Sequence, residues 1–282
     1  MRGCSRVPPV LLLALAAAAP TLAQGTITSG DAVFVRGATP WDSSPAADFR
    51  GVSPPLTRDH LFEAGWWFRV AGDTREFGFP TPDNQSYVGD TSQIGWSDVA
   101  GRGLFSAQEF TQVVDTRPSY GRSSGYVRMS MVITNLSGSS PLEIELFHFA
   151  DIDVDGFGSD SARLVEWSPA GNIHLTDPSG NFAQYLAAGG WAGYMVTPFG
   201  ANDVAEQLSD ASITDFGNTG LPFAAADFVG GWQYSLTIPP GQTDSVQVYL
   251  MVNASGNCLS LFGVFCDGFP SGDTTVWSLA AP

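Results

Sequence analysis

The chain has 282 residues, with 28 acidic residues against 12 basic ones, and its formal net charge is −16. All twelve basic residues are arginine. Such a surface repels phosphate, which argues against nucleic acid and anionic membranes as partners and favours cations. Hydrophobic residues make up 44% of the chain, enough to close a sizeable core.

The first residues read as a secretory signal. Arg2 and Arg6 precede an apolar run from Val10 to Ala19, and Thr21-Leu22-Ala23 places small residues where a signal peptidase cuts. The run is shorter than the roughly 20 residues a membrane helix needs. Residues 1–23 are therefore expected to be removed, leaving 24–282 as a single domain, secreted or periplasmic and not membrane-inserted. In an exported chain the remaining cysteine pair, Cys258 and Cys266, is expected to form a disulfide.

Beyond the signal, Gly, Pro, Ser, Asn and Asp recur every few residues, and the segments between them alternate apolar with polar. That pattern predicts strands and turns. Early strands are expected at Ala32–Arg36, His60–Val70, Glu76–Phe79, Gly103–Phe105 and Thr111–Asp115. Long surface loops are expected at Thr39–Pro55 and Thr81–Gln93.

The middle of the chain reads as a hairpin. Val127, Met129, Met131 and Ile133 share one face, residues Asn135 to Pro141 turn, and Leu142, Ile144, Leu146, His148, Ala150, Ile152 and Val154 resume the apolar face. Strands at Ile173–Thr176 and Trp191–Val196 follow. One short helix is expected behind Asp203, with Glu206 three residues on as in a capping box. A second hairpin runs from Trp232 through Pro239-Pro240-Gly241-Gln242 to Val252. Many short strands with Gly- and Pro-rich turns predict an all-β fold, a large antiparallel two-sheet β-sandwich with at most one or two short helices.

Two clusters carry candidate chemistry. Asp151, Asp153 and Asp155 alternate before Gly156, and Asp160 follows. Carboxylates at alternate positions ahead of a glycine match the first half of a calcium loop, so Ca2+ is the candidate cofactor. The twelfth position is Ala162 rather than glutamate and the preceding segment is a strand, which argues against an EF-hand. The second cluster is Trp66, Trp67, Arg69, Asp73 and Glu76. An indole beside a guanidinium on an exposed strand face could stack on a sugar ring, although aromatic residues in a strand more often build the core. No GxSxG, HExxH or phosphate-binding loop is present. A glycosidase pair among so many carboxylates cannot be picked from sequence.

GWWFRVAGDTREF (Gly65 to Phe77), the stretch from Val127 to Gly156 and WQYSLTIPPGQTDSVQVYLMV (Trp232 to Val252) resemble segments of uncharacterised exported bacterial β-sandwich proteins. Their rhythm also resembles the sandwich of galactose-mutarotase-like domains in carbohydrate-active proteins. The resemblance implies a sandwich and a connection with sugars but transfers no catalytic residue. The paired catalytic histidines of that pattern have no counterpart among His60, His148 and His174. The leading expectation is a secreted, non-catalytic module for a glycan or other extracellular polymer, steadied by calcium. The alternatives are a carbohydrate-active enzyme using a carboxylate pair and a structural envelope or matrix protein.

Overall fold

The computed structural model describes residues 25–37, 46–116, 124–156, 158–167 and 170–253. The expected signal and the Cys258–Cys266 pair lie outside these residues. The fold is all-β and antiparallel. Among the described residues no helix is long and apolar enough to cross a membrane.

The strands are β1 (Gly25–Ser29), β2 (Ala32–Arg36), β3 (Ala47–Arg50), β4 (Glu63–Val70), β5 (Phe77–Gly78), β6 (Asn84–Val88), β7 (Thr91–Trp96), β8 (Phe105–Asp115) and β9 (Ser124–Asn135). There follow β10 (Leu142–Asp151), β11 (Asp160–Trp167), β12 (Ala170–Thr176), β13 (Phe182–Ala188), β14 (Trp191–Pro198), β15 (Phe223–Ala226), β16 (Phe228–Ile238) and β17 (Thr243–Asn253). The short helix α1 (Val204–Ser209) begins at Asp203, whose carboxylate accepts the backbone N–H of Glu206, as the capping pattern predicts. The strands form a five-stranded sheet, β14-β16-β10-β4-β5, a nine-stranded sheet, β15-β11-β12-β13-β17-β9-β8-β7-β6, and a three-stranded sheet, β1-β2-β3.

Both expected hairpins are corrected. The strands form where the alternation puts them, but β9 pairs with β8 and β17, whereas β10 pairs with β4 and β16. Likewise β16 lies in the five-stranded sheet and β17 in the nine-stranded one. Each turn is an arch that carries the chain across the sandwich. Alternation marks the buried face of a strand but not its partner: Met129 and Met131 from one sheet and Ile144 and Leu146 from the other share one core.

That core runs between the sheets through Trp66, Phe68, Leu146, Tyr185, Trp232, Val248 and Leu250. A second apolar layer lies on the far side of the five-stranded sheet. There Trp67, Phe147, Phe149 and Val229 meet Val204, Ala205 and Leu208 of α1, and Phe216 of the following loop. Gly193 of β14 allows this cover to seat, because a Cβ there would sit 2.0 Å from the carbonyl oxygen of Phe216.

The expected loop at Thr81–Gln93 is instead occupied by β6 and the start of β7, a hairpin at the edge of the nine-stranded sheet. Residues 84–86 are exposed on both faces, so no apolar alternation marks the strand. The loop expected at Thr39–Pro55 contains β3, while residues 38–45 lie outside the described set.

Candidate functional site

The aromatic strand is packing and bracing. Trp66 faces the main core and Trp67 the second layer, and both indoles are buried. Neither offers a sugar a ring face, which corrects that part of the expectation. Arg69, opposite Glu145 on the outer face, pairs with Glu76 and donates to Asp215 Oδ1 at 2.5 Å. Glu76 is buried and also accepts the Thr214 N–H, so it anchors the loop that covers the second layer. Asp73 accepts from both terminal nitrogens of Arg102, at 2.7 and 2.9 Å, and from the Val70 N–H. Burial works to raise the Asp73 pKa, but the Arg102 hydrogen bonds outweigh it and the carboxyl lies below its ordinary value.

Beside Arg69 the outer face opens into a cleft of about 290 Å³ lined by Arg69, Glu143, Glu145, Ser235 and Thr237. Gln233 Nε2 donates to Glu145 Oε2 at 2.9 Å and to Asp215 Oδ1 at 3.3 Å. The Arg69 hydrogen bond holds the Asp215 carboxyl below its ordinary range. Glu145, Gln233 and Asp215 escape a sequence reading because they come together only through strand register and the loop after α1.

The aspartate-rich turn divides. Asp155 pairs with Arg58. Asp160 is fully buried; its Oδ2 accepts the Val154 N–H at 3.4 Å while Oδ1 has no partner among the described residues. Asp153 Oδ1 is also without one. Asp151 is 3% exposed and stands on the outer face opposite Glu63. Burial, then the neighbouring charges of Asp227, Asp153, Glu63 and Asp203, push its carboxyl up to about 8. Burial likewise raises Asp153 to about 6 and Asp160 to about 7. Among the described residues no group of three or more His, Cys, Asp or Glu side chains is gathered closely enough to hold a metal ion.

The histidines have separate roles. His60 is buried between the Ser53 hydroxyl (2.9 Å) and the Asp153 carbonyl oxygen (3.0 Å), and burial lowers its pKa to about 4. This Ser–His contact is sealed from solvent, with Ser53 5% and His60 0% exposed, so it is a structural tie. His148 lies in the core against the Tyr185 hydroxyl at 2.6 Å, and burial lowers it to about 3.

His174 belongs to a third place, the outer face of the nine-stranded sheet. Antiparallel register lines up Arg163, His174, Gln184, Met251, Tyr126 and Val114 in one row across β11, β12, β13, β17, β9 and β8. The adjoining row contains Asn172, Tyr249, Arg128 and Gln112. Among the described residues Asn172 Oδ1, His174 Nδ1 and Gln184 Oε1 have no hydrogen-bond partner, although Asn172 and Gln184 are buried. Phe182 stacks on His174, with ring centroids 5.4 Å apart at 21°. Tyr126 and Tyr249 sit 6.2 Å apart, both half-buried. In sequence these residues are scattered, and only the pairing of six strands assembles them.

No protein-family model matches the chain, and no curated protein matches it. Among solved structures, two similar ones bear names. One is a polysaccharide lyase, at 9% identity and a TM-score of 0.47, covering 82% of this chain and 34% of that one. Another is a protein named for kojibiose phosphorylase, from the human microbiome, at 8% identity and a TM-score of 0.37, covering 76% of this chain and 28% of that one. The chain spans about a third of the length of the solved structures it matches.

Proposed function

We propose that the chain is an exported, non-catalytic binding module for a glycan or other extracellular polymer, and that the outer face of the nine-stranded sheet is its contact surface. One observation carries the reading: strand register sets exposed Arg163 and half-buried His174, Tyr126 and Tyr249 on two neighbouring rows of that face. Asn172 Oδ1 and Gln184 Oε1 beside them are closed to solvent and take no hydrogen bond among the described residues. Sugar hydroxyls both donate and accept, which suits guanidinium, imidazole and phenol groups. Phe182, Tyr126 and Tyr249 add ring surface beside them for the apolar faces of sugar rings. The overall acidity directs the choice toward neutral or cationic polymers.

A glycan array probed with the purified protein tests this. Signal is expected on a restricted set of neutral or amino-sugar glycans. It should fall about three- to tenfold in affinity in Tyr249→Ala, which removes a ring face, and fall also in the exposed-site variant Arg163→Ala. Binding that ignores both substitutions, or no signal on any glycan, would refute it.

The cleft at Arg69 favours a second reading, a carbohydrate-active enzyme. Sharing Gln233 Nε2 places Glu145 and Asp215 within about 6 Å of each other, near the separation of about 5–5.5 Å that retaining glycosidases use. Asp215, held ionised by Arg69, would serve as the anion, with Glu145 as the second carboxyl of the pair. Release of reducing sugar from polysaccharides, abolished by Glu145→Gln, would select this reading over the first.

A further inference from the structure

We propose, resting on the reading of the outer face as a glycan surface, that this face takes a neutral, linear oligosaccharide laid along β8 and β9, with a polar cleft at the far end of those strands as its second subsite. The cleft has a volume of about 350 Å³, within the roughly 300–1,000 Å³ of small-molecule sites. Strand register builds it. Asn84, Gly95, Gln108 and Val132 stand in one row across β6, β7, β8 and β9, and Ser106 faces Thr134 in the next. Gly95 keeps the floor clear, because a Cβ there would sit 2.9 Å from Asn84 Oδ1.

The lining selects the occupant. The chain has 28 acidic residues, yet the cleft is lined by amides, hydroxyls and apolar groups, with no ionisable side chain. Amides and hydroxyls supply both donors and acceptors, as sugar hydroxyls do, and no charge in the cleft favours an ion. No outward position of β6, β7, β8 or β9 is an aspartate or glutamate. The acids that reach this region sit outside the strands and are engaged. Asp83 Oδ2 accepts the Ser97 N–H and hydroxyl, both at 2.5 Å, and Asp90 Oδ2 accepts from Gln112 Nε2 at 3.1 Å.

The cleft is continuous with the tyrosine end of the face. On β9 the outward residues run from Tyr126 through Arg128, Ser130 and Val132 to Thr134. That strip is about 27 Å long at a rise of about 3.4 Å per residue, so an oligomer of several sugar units covers it and a single sugar does not. Midway, opposite Ser130, Phe110 is 38% exposed and offers a ring face to the apolar side of a sugar. Arg128 donates to Gln112 Oε1 at 3.0 Å, which leaves it further N–H donors for sugar hydroxyls.

Titration calorimetry on the full chain tests the assignment. The probes are cello-, manno-, malto- and N-acetylchito-oligosaccharides of two to six units, with glucosamine oligomers as the cationic counterpart and galacturonic acid oligomers as the anionic one. Affinity for a neutral series is expected to rise about tenfold or more from the disaccharide to the hexasaccharide as contacts are added. Gln108→Ala removes an amide from the cleft and Gly95→Ala fills its floor. Each should lower hexasaccharide affinity about three- to tenfold and flatten the rise with length. Gln108 is exposed, so its variant is expected to fold, and melting temperatures check both. Hexasaccharide binding that Tyr249→Ala weakens, while Gln108→Ala and Gly95→Ala leave it unchanged, would remove the cleft from the site and leave the binding-module reading standing. Preference for the cationic or the anionic series would overturn the neutral assignment. Absence of binding in every series would take down the glycan surface itself, and the second subsite with it.

Discussion

At the scale of single residues, the chain spends its few cations unevenly. Arg36 is buried against Glu109 between the three-stranded and nine-stranded sheets, and Arg69 and Arg102 brace the strand and turn around Asp73. Among the described residues Asp151 has no such partner, and its ionisation is coupled to folding. Its pKa rises from the ordinary 3.8 to about 8 in the fold, so the folded state prefers the protonated acid. The stabilisation this gives is complete below about pH 4 and is lost as pH climbs to about 8. Asp151→Asn, which keeps the shape and cannot ionise, should therefore gain melting temperature relative to the parent as pH rises across that window, in buffer without added cations. A gap that stays constant from pH 4 to pH 8 would contradict the assignment. His60 has the opposite sign. Burial lowers it from 6.5 to about 4, so its contribution is present above about pH 6.5 and is lost as pH falls through 4.

At the scale of elements, the two arches were the least legible feature. Each reads as a hairpin because a polar turn separates two amphipathic strands, and that grammar is the same whether the strands pair or face each other across a core. Asn135 shows what distinguishes them. Its Nδ2 donates to the carbonyls of Ser140 and Ile238, both at 2.9 Å, its Oδ1 accepts the Ser137 N–H, and its own N–H reaches the Gln242 carbonyl. One buried amide thus ties the arch after β9 to the arch after β16. Asn135→Ala leaves those carbonyls short of a donor and should cost about 2–4 kcal/mol, read as a shift in the urea midpoint with little change in slope. A loss no larger than that of a surface substitution would mean that the arches are held by strand packing alone. The helix, by contrast, was legible from Asp203 and Glu206, because a cap is a local interaction between residues three apart.

At the scale of the whole molecule, length, alternation and turn composition determined that the chain is a β-sandwich, which faces of its strands are buried, where its helix starts and that its surface is acidic. These follow from local chemistry: a side chain's preference for water or core is set by its own atoms, and period two is set by the strand. Which sheet each strand joins was a tertiary decision, and the candidate sites depend on it. Trp66 and Trp67 looked like a ligand platform until both sheet faces proved to be covered. Asp151 and Asp160 were visible as an acidic run, but their burial depends on strands that end together. Asn172, His174 and Gln184 become neighbours only through the β12–β13 register. Such pairings join residues distant in the chain, and the free energy that selects them comes from filling a shared core, a property no single segment carries.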